Sequence, residues 1–100
     1  MFRQLMGVTA AAALLVSTAA TAETVKIGFV TTLTTGAGVV GRDMRDAVDL
    51  AMDHIGGKMG GLSVEVIYED DGFKPEIGKQ KTEKLVQKDK VNFVAGYIWS

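Results

Sequence analysis

Hydroxyl-bearing and aromatic side chains are concentrated in two short segments that could hold a small ligand. The first segment, 31–41, contains four threonines, together with glycines that would let a ligand approach backbone N–H groups. The second, 96–100, contains Tyr97, Trp99 and Ser100. Hydroxyls and backbone donors at the start of a helix favour an anion such as a carboxylate, and aromatic rings pack on an apolar ligand body. These residue types predict binding of a small organic anion, unless the two rings cover a sheet edge instead.

A glycine run offers a different chemistry. Residues Gly36-Ala37-Gly38-Val39-Val40-Gly41 match the G-x-G-x-x-G pattern of dinucleotide-binding enzymes. In that pattern the first glycine makes the tight turn directly after the strand, whereas here residues 31–35 intervene. The acidic residue that should hold the ribose about 20 residues further on is also late, because Glu69 comes 28 residues after Gly41. An exported dinucleotide-binding enzyme is therefore the alternative function, not the leading one.

Other groups with catalytic potential have simpler interpretations. The acidic triplet Glu69-Asp70-Asp71 could bind a metal, but EF-hand spacing is absent, and we interpret it as a solvated turn that caps the second helix. His54 stands alone, without a Ser or Cys partner that would suggest a dyad or triad. The sequence contains no cysteine, so it predicts no disulfide and no thiolate chemistry. We therefore predict a protein that is not an enzyme, with no catalytic residues, no metal and no cofactor.

The elements that must position the two segments begin with a β-rich run, Val25 to Thr31, which predicts the first strand. A loop of threonine and glycine follows, from Thr32 to Gly41. Next comes an amphipathic helix, whose apolar residues recur at spacings of three, four and seven. These residues are Met44, Ala47, Val48, Ala51, Met52 and Ile55. Gly56-Gly57 ends the helix, because glycine readily takes a positive φ.

Three further elements complete an alternating order. Leu62 to Tyr68 alternates in polarity and predicts a second strand, and Pro75 suits the first turn of a second helix. Val91 to Ala95 is nearly all apolar and predicts a buried third strand. The candidates for the inner face of the second helix are Ile77, Thr82, Leu85 and Val86. This order predicts an α/β fold with a parallel, doubly wound sheet.

The predicted topology brings the two polar segments together. In open α/β sheets, ligands bind beyond the carboxyl ends of the strands, where the strand order reverses. If the first and third strands are neighbours, the crevice lies between segments 31–41 and 96–100. The candidate ligand-binding residues in it are Thr35, Tyr97, Trp99 and Ser100.

Residues 1–22 have the features of a secretory signal peptide. Arg3 precedes an apolar stretch from Leu5 to Val16, and the small residues Ala20-Thr21-Ala22 suit a cleavage site. A membrane-spanning helix needs about 20 apolar residues, so this stretch is too short for a permanent anchor. The mature chain is expected to begin at Glu23. Without a cysteine to carry a lipid at the cleavage site, the exported protein is expected in a periplasm.

Charge and length limit the partners and the domain organisation that the sequence can have. Cleavage would remove Arg3, one of 11 basic residues, and leave all 12 acidic ones, so the mature segment carries a formal charge of about −2. The segment therefore lacks the excess of basic residues that binding to nucleic acid requires. Parallel sheets are normally covered on both faces and need more strands than residues 23–100 supply. We therefore expect 23–100 to be the front portion of a longer protein.

The ordered set of segments in residues 23–100 resembles one family of binding proteins. The segments that carry the resemblance are Lys26-Ile27-Gly28-Phe29-Val30, Leu33-Thr34-Thr35-Gly36, Ala51-Met52-Asp53-His54-Ile55-Gly56-Gly57, Tyr68-Glu69-Asp70-Asp71 ahead of Pro75, Lys84-Leu85-Val86, and Val94-Ala95-Gly96 leading to Ser100. The set is similar to the type I periplasmic binding proteins of the branched-chain amino acid (Leu/Ile/Val) class. The resemblance covers the whole predicted mature segment.

The resemblance implies a fold and a function. It implies two α/β lobes that close over a ligand, with 23–100 as the first, incomplete part of lobe one. It implies a monomer that captures a small carboxylate, either an amino acid or an aromatic or other organic acid, for an inner-membrane ABC permease. Ser100 corresponds to the serine that holds the ligand's carboxylate. Val40 stands where amino-acid binders often have an aromatic contact, and Trp99 replaces a cysteine found in some members. The same fold also serves as the sensory module of receptors, which is a further alternative.

Overall fold

The structure is a computed structural model that describes residues 23–99. Six elements follow one another: β1 (Val25–Thr31), α1 (Gly38–His54), β2 (Lys58–Met59), β3 (Leu62–Asp70), α2 (Pro75–Gln87) and β4 (Phe93–Gly96). The strands form one sheet in the order β2-β3-β1-β4. The predicted signal peptide, 1–22, and the candidate ligand residue Ser100 lie outside the described residues.

Strand β1 lies between β3 and β4 and is parallel to both. Its pairing with β3 runs from Val25 opposite Val64 to Thr31 opposite Asp70, and its pairing with β4 ends at Val30 opposite Gly96. The chain therefore passes from β1 to β3 on one side of β1, and then crosses over to β4 on the other side of β1. The first and third predicted strands are neighbours, which is the condition on which the predicted crevice depended, and the strand order reverses between β1 and β4.

The two helices lie on opposite faces of the sheet. Leu85 of α2 is fully buried over Gly28, where an added Cβ would lie 2.8 Å from Leu85 Cδ1. On the other face, the Tyr68 ring packs edge-on against Phe29 at 5.7 Å, and its hydroxyl donates a hydrogen bond to Asp49 of α1. Because Gly28 and Phe29 are successive residues of one strand, they face opposite sides. The predicted doubly wound α/β fold is confirmed.

One strand was missed by the sequence analysis. Lys58–Met59 pairs antiparallel with the start of β3, with Met59 opposite Leu62. The connecting residues Gly60 and Gly61 both have positive φ, 55° and 80°, which suits a two-residue hairpin turn. The two-residue strand is too short to show an alternating pattern. The sheet is therefore mixed at this edge, while its three longer strands are parallel as predicted.

Helix α1 begins earlier than predicted. It starts at Gly38, so Val40, which the sequence analysis placed in the loop after the first strand, lies in the first helical turn. The cause is a close approach of backbones, because a Cβ on Gly41 would lie 1.7 Å from the carbonyl oxygen of Thr32. Glycines at 38 and 41 let the helix start against the end of β1. The helical apolar period, on which the prediction rested, begins only at Met44.

Strand β4 and part of α2 are more exposed than predicted. Phe93 is 62% exposed and Val94 is 43% exposed, so the expectation of a buried third strand is wrong for the described chain. Within residues 23–99, β4 pairs with β1 alone. On α2, Leu85 is buried as predicted, whereas Val86 is 50% exposed. The described core is correspondingly small and centres on Phe29, Val30 and Leu85.

The close contact at Gly41 predicts a large difference between two glycine-to-alanine variants. Gly41→Ala should lower the free energy of unfolding by about 1–3 kcal/mol, because the added methyl group must displace the Thr32 carbonyl. Gly36→Ala is the control, since a Cβ there meets nothing within 4 Å. Urea denaturation of the mature protein measures both. Alanine favours a helix interior over glycine, so an unchanged or more stable Gly41→Ala variant would show that the contact is absent.

Candidate ligand-binding site

Three loops meet at the carboxyl edge of the parallel strands. They follow β1, β3 and β4, and their proximity results from the register that sets Thr31 beside Asp70 and Val30 beside Gly96. An open groove of about 700 Å³ lies beside these loops, against the first half of α2. Its aromatic lining consists of Phe73, Tyr97 and Trp99.

Asp70 ties the loop after β1 to the loop after β3. Its carboxylate accepts hydrogen bonds from Leu33 N–H at 2.9 Å, from the Thr34 hydroxyl at 2.7 Å and from Gly72 N–H at 2.9 Å. Partial desolvation acts to raise the pKa of the Asp70 carboxyl, but these hydrogen bonds outweigh it and hold the pKa below its ordinary value. The ionised form of Asp70 is therefore the form that orders the loop.

Asp71 connects all three loops through a chain of hydrogen bonds. Its Oδ1 atom accepts from the Thr32 hydroxyl at 2.6 Å and from Phe73 N–H at 2.9 Å. The Thr32 oxygen in turn accepts from the indole Nε1–H of Trp99 at 2.9 Å. The Trp99 ring also meets Phe73 edge-on, with centroids 5.0 Å apart. Trp99 is thus fixed to the loops that follow β1 and β3.

Tyr97 is turned towards α2. Its N–H donates to Val30 O at 2.8 Å and its hydroxyl pairs with the Thr82 hydroxyl at 2.6 Å. The turn that allows this begins at Gly96, where φ is 106° and a Cβ would lie 2.0 Å from Val30 O. The structure therefore brings Tyr97 and Trp99 to one groove, but this groove is lined by α2 and the loop after β3, whereas the sequence analysis predicted a crevice against segment 31–41.

Thr35 and Val40 lie at the start of α1, apart from that groove's lining. Thr35 is exposed with a φ of 70°, and its hydroxyl accepts from Ala37 N–H at 3.3 Å. Val40 is 43% exposed. The first turn of α1 consists of glycine and valine, and within the described chain no side chain caps it. The Gly38 N–H donates to Thr35 O at 3.1 Å, and the N–H groups of this first turn carry the partial positive charge of a helix amino terminus.

The interpretation of Glu69-Asp70-Asp71 as a solvated turn that caps the second helix is wrong. Asp71 is buried, Asp70 is the last residue of β3, and the N-cap residue of α2 is Lys74, with no side-chain cap among the described residues. Glu69 pairs with Lys84 at 2.5 Å. Asp70 and Asp71 instead accept from backbone N–H groups of the loops after β1 and β3.

Three residues important to the site were missed from the sequence. They are Asp70, Asp71 and Phe73, whereas Thr32 was predicted only as one of four hydroxyls in the loop after the first strand. The available signal was position, because the acidic pair ends a strand at the same edge as the threonine loop. Within residues 23–99, the structure shows no group of three or more His, Cys, Asp or Glu that could hold a metal, and no helix long and apolar enough to cross a membrane.

The glycine run takes a packing role in the structure. Gly38 and Gly41 approach the carbonyl groups of Leu33 and Thr32, so these two glycines serve contact between helix and strand. Gly36 is exposed and five residues beyond the end of β1. This geometry differs from the dinucleotide fingerprint, in which the first glycine makes the turn directly after the strand.

The fold and the site together define a class of protein: an α/β unit that collects ligand-binding loops at the point where its strand order reverses. Comparison with known families agrees with this class. The profile described as "Periplasmic binding protein" matches residues 24–100. The chain belongs to the periplasmic binding protein family.

Particular relatives show which members of the family this chain is similar to. It is 30% identical over 87 residues to Leu/Ile/Val-binding protein homolog 6 of Brucella abortus, a match that covers 86% of this chain and 22% of the relative. The chain therefore spans about a fifth of the length of the curated relatives it matches.

Two solved structures extend the comparison to known ligands. A solute binding protein of an ABC transporter from Rhodopseudomonas palustris, in complex with 3,4-dihydroxybenzoic acid, is 32% identical with a TM-score of 0.71, covering 74% of this chain and 20% of that one. The branched-chain amino acid transporter substrate binding protein LivJ from Streptococcus pneumoniae, in complex with isoleucine, is 29% identical with a TM-score of 0.69, covering 74% and 22%. The predicted family resemblance is confirmed.

The lowered pKa of Asp70 predicts how stability depends on pH. A carboxyl whose pKa is lower in the folded state stabilises the fold above its unfolded pKa, and this contribution is lost as pH falls through the folded pKa. Asp70→Asn should therefore lower the free energy of unfolding by about 1–2 kcal/mol at pH 7, through weakened charged hydrogen bonds. The gap to the wild type should shrink below pH 4. Denaturation curves between pH 3 and 7 measure it, and a constant gap would contradict the role of the ionised carboxylate.

Proposed function

We propose that this chain is the front part of the periplasmic substrate-binding component of an ABC-type importer, which captures a small carboxylate ligand for an inner-membrane permease. The observation that carries the proposal is the convergence of the loops after β1 and β4 at the switch point of the sheet, in a chain of this family. Ligands of open α/β sheets bind at this position.

The start of α1 is the proposed seat of the ligand's carboxylate. Its first turn bears glycine and valine and is uncapped by any described side chain, so N–H groups beyond that of Gly38, which donates to Thr35 O, would be available to a carboxylate. Ser100, which follows the fixed Trp99, would add a hydroxyl donor, and Thr35 lies beside the helix start. A carboxylate bound there would accept several hydrogen bonds while the sheet edge holds the loops in place.

The body of the ligand is proposed to be apolar. Tyr97 and Trp99 are 44% and 45% exposed, and large exposed rings beside polar donors suit an apolar group that carries one charge. The relatives with known ligands bind isoleucine or 3,4-dihydroxybenzoic acid. Both ligands carry a carboxylate, isoleucine together with an ammonium group and the benzoic acid on a ring with two hydroxyls, and so the proposed substrates are amino acids and aromatic or other organic acids.

Capture is proposed to be reversible and to need no chemical step. The ligand binds to lobe one, and the second lobe of the full-length protein closes over it because the closed state offers additional contacts. The closed monomer then delivers the ligand to the permease. Ten basic and twelve acidic residues in 23–100 leave a small negative charge, which gives a carboxylate no long-range attraction. Recognition therefore depends on local donors at the sheet edge.

Replacement of Ser100 tests the carboxylate seat. Ser100→Ala in the full-length protein should weaken carboxylate ligands by about 1–3 kcal/mol, because a charged acceptor loses a donor. Ser63→Ala is the matched control, since Ser63 lies near the opposite end of β3. Calorimetric titration with branched-chain amino acids, benzoates and a nicotinamide dinucleotide measures affinity. Equal affinity of both variants would remove Ser100 from the site, and saturable binding of the dinucleotide alone would overturn the proposed function.

Processing of the amino terminus tests the proposed location. The protein expressed with residues 1–22 in a Gram-negative host should appear in the periplasmic fraction with Glu23 as its first residue, because the small residues Ala20 to Ala22 suit signal cleavage. Intact-mass measurement of that fraction gives the cleavage site. A version without residues 1–22 should stay in the cytoplasm. An uncleaved, cytoplasmic full-length protein would contradict the periplasmic assignment.

A further inference from the structure

We propose that Thr32 and Asp71 are positioning residues that fix the Trp99 indole as a flat wall of the ligand cleft. The proposal rests on the proposed function, because it assigns Trp99 a place at the site where a ligand binds. Thr32 and Asp71 themselves are not assigned a ligand contact. They act through the hydrogen bonds that end at the indole N–H.

The direction of each hydrogen bond in this chain is determined by the groups involved. An indole Nε1–H can only donate, so the Thr32 oxygen accepts from Trp99. Thr32 has one proton of its own, and its partner at 2.6 Å is the carboxylate of Asp71. The hydroxyl therefore donates to Asp71 and accepts from Trp99 at the same time. A residue without a hydroxyl at position 32 would break both hydrogen bonds.

The two hydrogen bonds that link Asp71, Thr32 and Trp99 are shielded from water by burial. The Thr32 side chain is fully buried and Asp71 is 9% exposed, whereas Trp99 is 45% exposed. Water therefore reaches the ring but not the hydroxyl that holds it. The same Asp71 oxygen accepts from Phe73 N–H, and the Phe73 ring meets Trp99 edge-on at an interplanar angle of 82°. The Asp71 Oδ1 atom thus helps to position both aromatic rings, that of Phe73 directly and that of Trp99 through Thr32.

The arrangement has a consequence for ligand selection. The indole N–H is already bonded within the protein, so Trp99 offers ring surface rather than a hydrogen-bond donor. A ring held by a hydrogen bond at its nitrogen and by contact with the Phe73 ring keeps its orientation without a ligand, which reduces the entropy lost on binding. Such a wall favours a flat apolar body, and so the carboxylates preferred at this cleft should be aromatic.

Exchange of the Trp99 indole proton tests the connection without any ligand. Trp99 is the single tryptophan of these 100 residues, and Trp99→Phe in the full-length protein identifies its resonance. Thr32→Val should accelerate indole N–H exchange with solvent by about 2- to 10-fold, the loss of one hydrogen bond. Thr32→Ser should restore the wild-type rate. Thr34→Val is the matched control, because it removes a threonine-to-carboxylate bond in the same loop that ends at Asp70 instead.

The same variants then test positioning of the ligand. Titration with benzoate should show affinity about 2- to 10-fold lower for Thr32→Val, and unchanged affinity for Thr32→Ser. If Thr32→Val does not fold, Asp71→Asn, which keeps an acceptor oxygen, should give an intermediate rise in exchange rate. Unchanged exchange in a folded Thr32→Val or Asp71→Asn variant would overturn the connection. Faster exchange with unchanged benzoate affinity would overturn the positioning role, and binding of no carboxylate by the wild type would overturn the proposed function alone.

Discussion

Asp71 places a nearly buried carboxylate where the loops after β1, β3 and β4 meet. Burying a charge is costly unless hydrogen-bond donors replace the lost water. Here the donors are the hydroxyl of Thr32 and the N–H of Phe73, which come from two different loops. The loops can satisfy this group only when they are in their folded arrangement. The geometry at the carboxyl edge of the parallel strands therefore depends on the need of one carboxylate for hydrogen-bond donors.

Asp70, the last residue of β3, has a similar role one residue earlier. It accepts from Leu33 N–H and from the Thr34 hydroxyl, so the loop after β1 is held on both sides of Leu33. The close approach of Gly41 to Thr32 then sets where α1 starts relative to this loop. The sheet edge, the loop and the helix start are thus one connected unit. Such a unit fixes the position of the first turn of α1 relative to the end of β1.

Sequence patterns predicted the helix and strands whose apolar residues recur at a regular spacing. They did not predict the contacts between loops. The apolar spacing of α1 and the alternation of β3 predicted both elements, and the alternating order predicted the parallel neighbours of β1. The hairpin at Gly60-Gly61 was missed because a two-residue strand has no period. The roles of Asp70 and Asp71 were missed because a run of carboxylates has the composition of a solvated turn. The burial of Asp71 and the hydrogen bonds of Asp70 follow from the register of β3 against β1, which no local pattern encodes.

A rigid half of a cleft has consequences for how binding energy is distributed. Binding sites for small ligands bury about 70–90% of the ligand surface, and an open groove on one side covers much less. Under the proposed function, lobe one would contribute fixed donors and a fixed ring, and most of the affinity would come from contacts made on closure. Because the first half is already ordered by Asp70 and Asp71, little conformational entropy is lost there. Under the same proposal, the free energy of closure would discriminate between ligands that share a carboxylate but differ in the shape of their body.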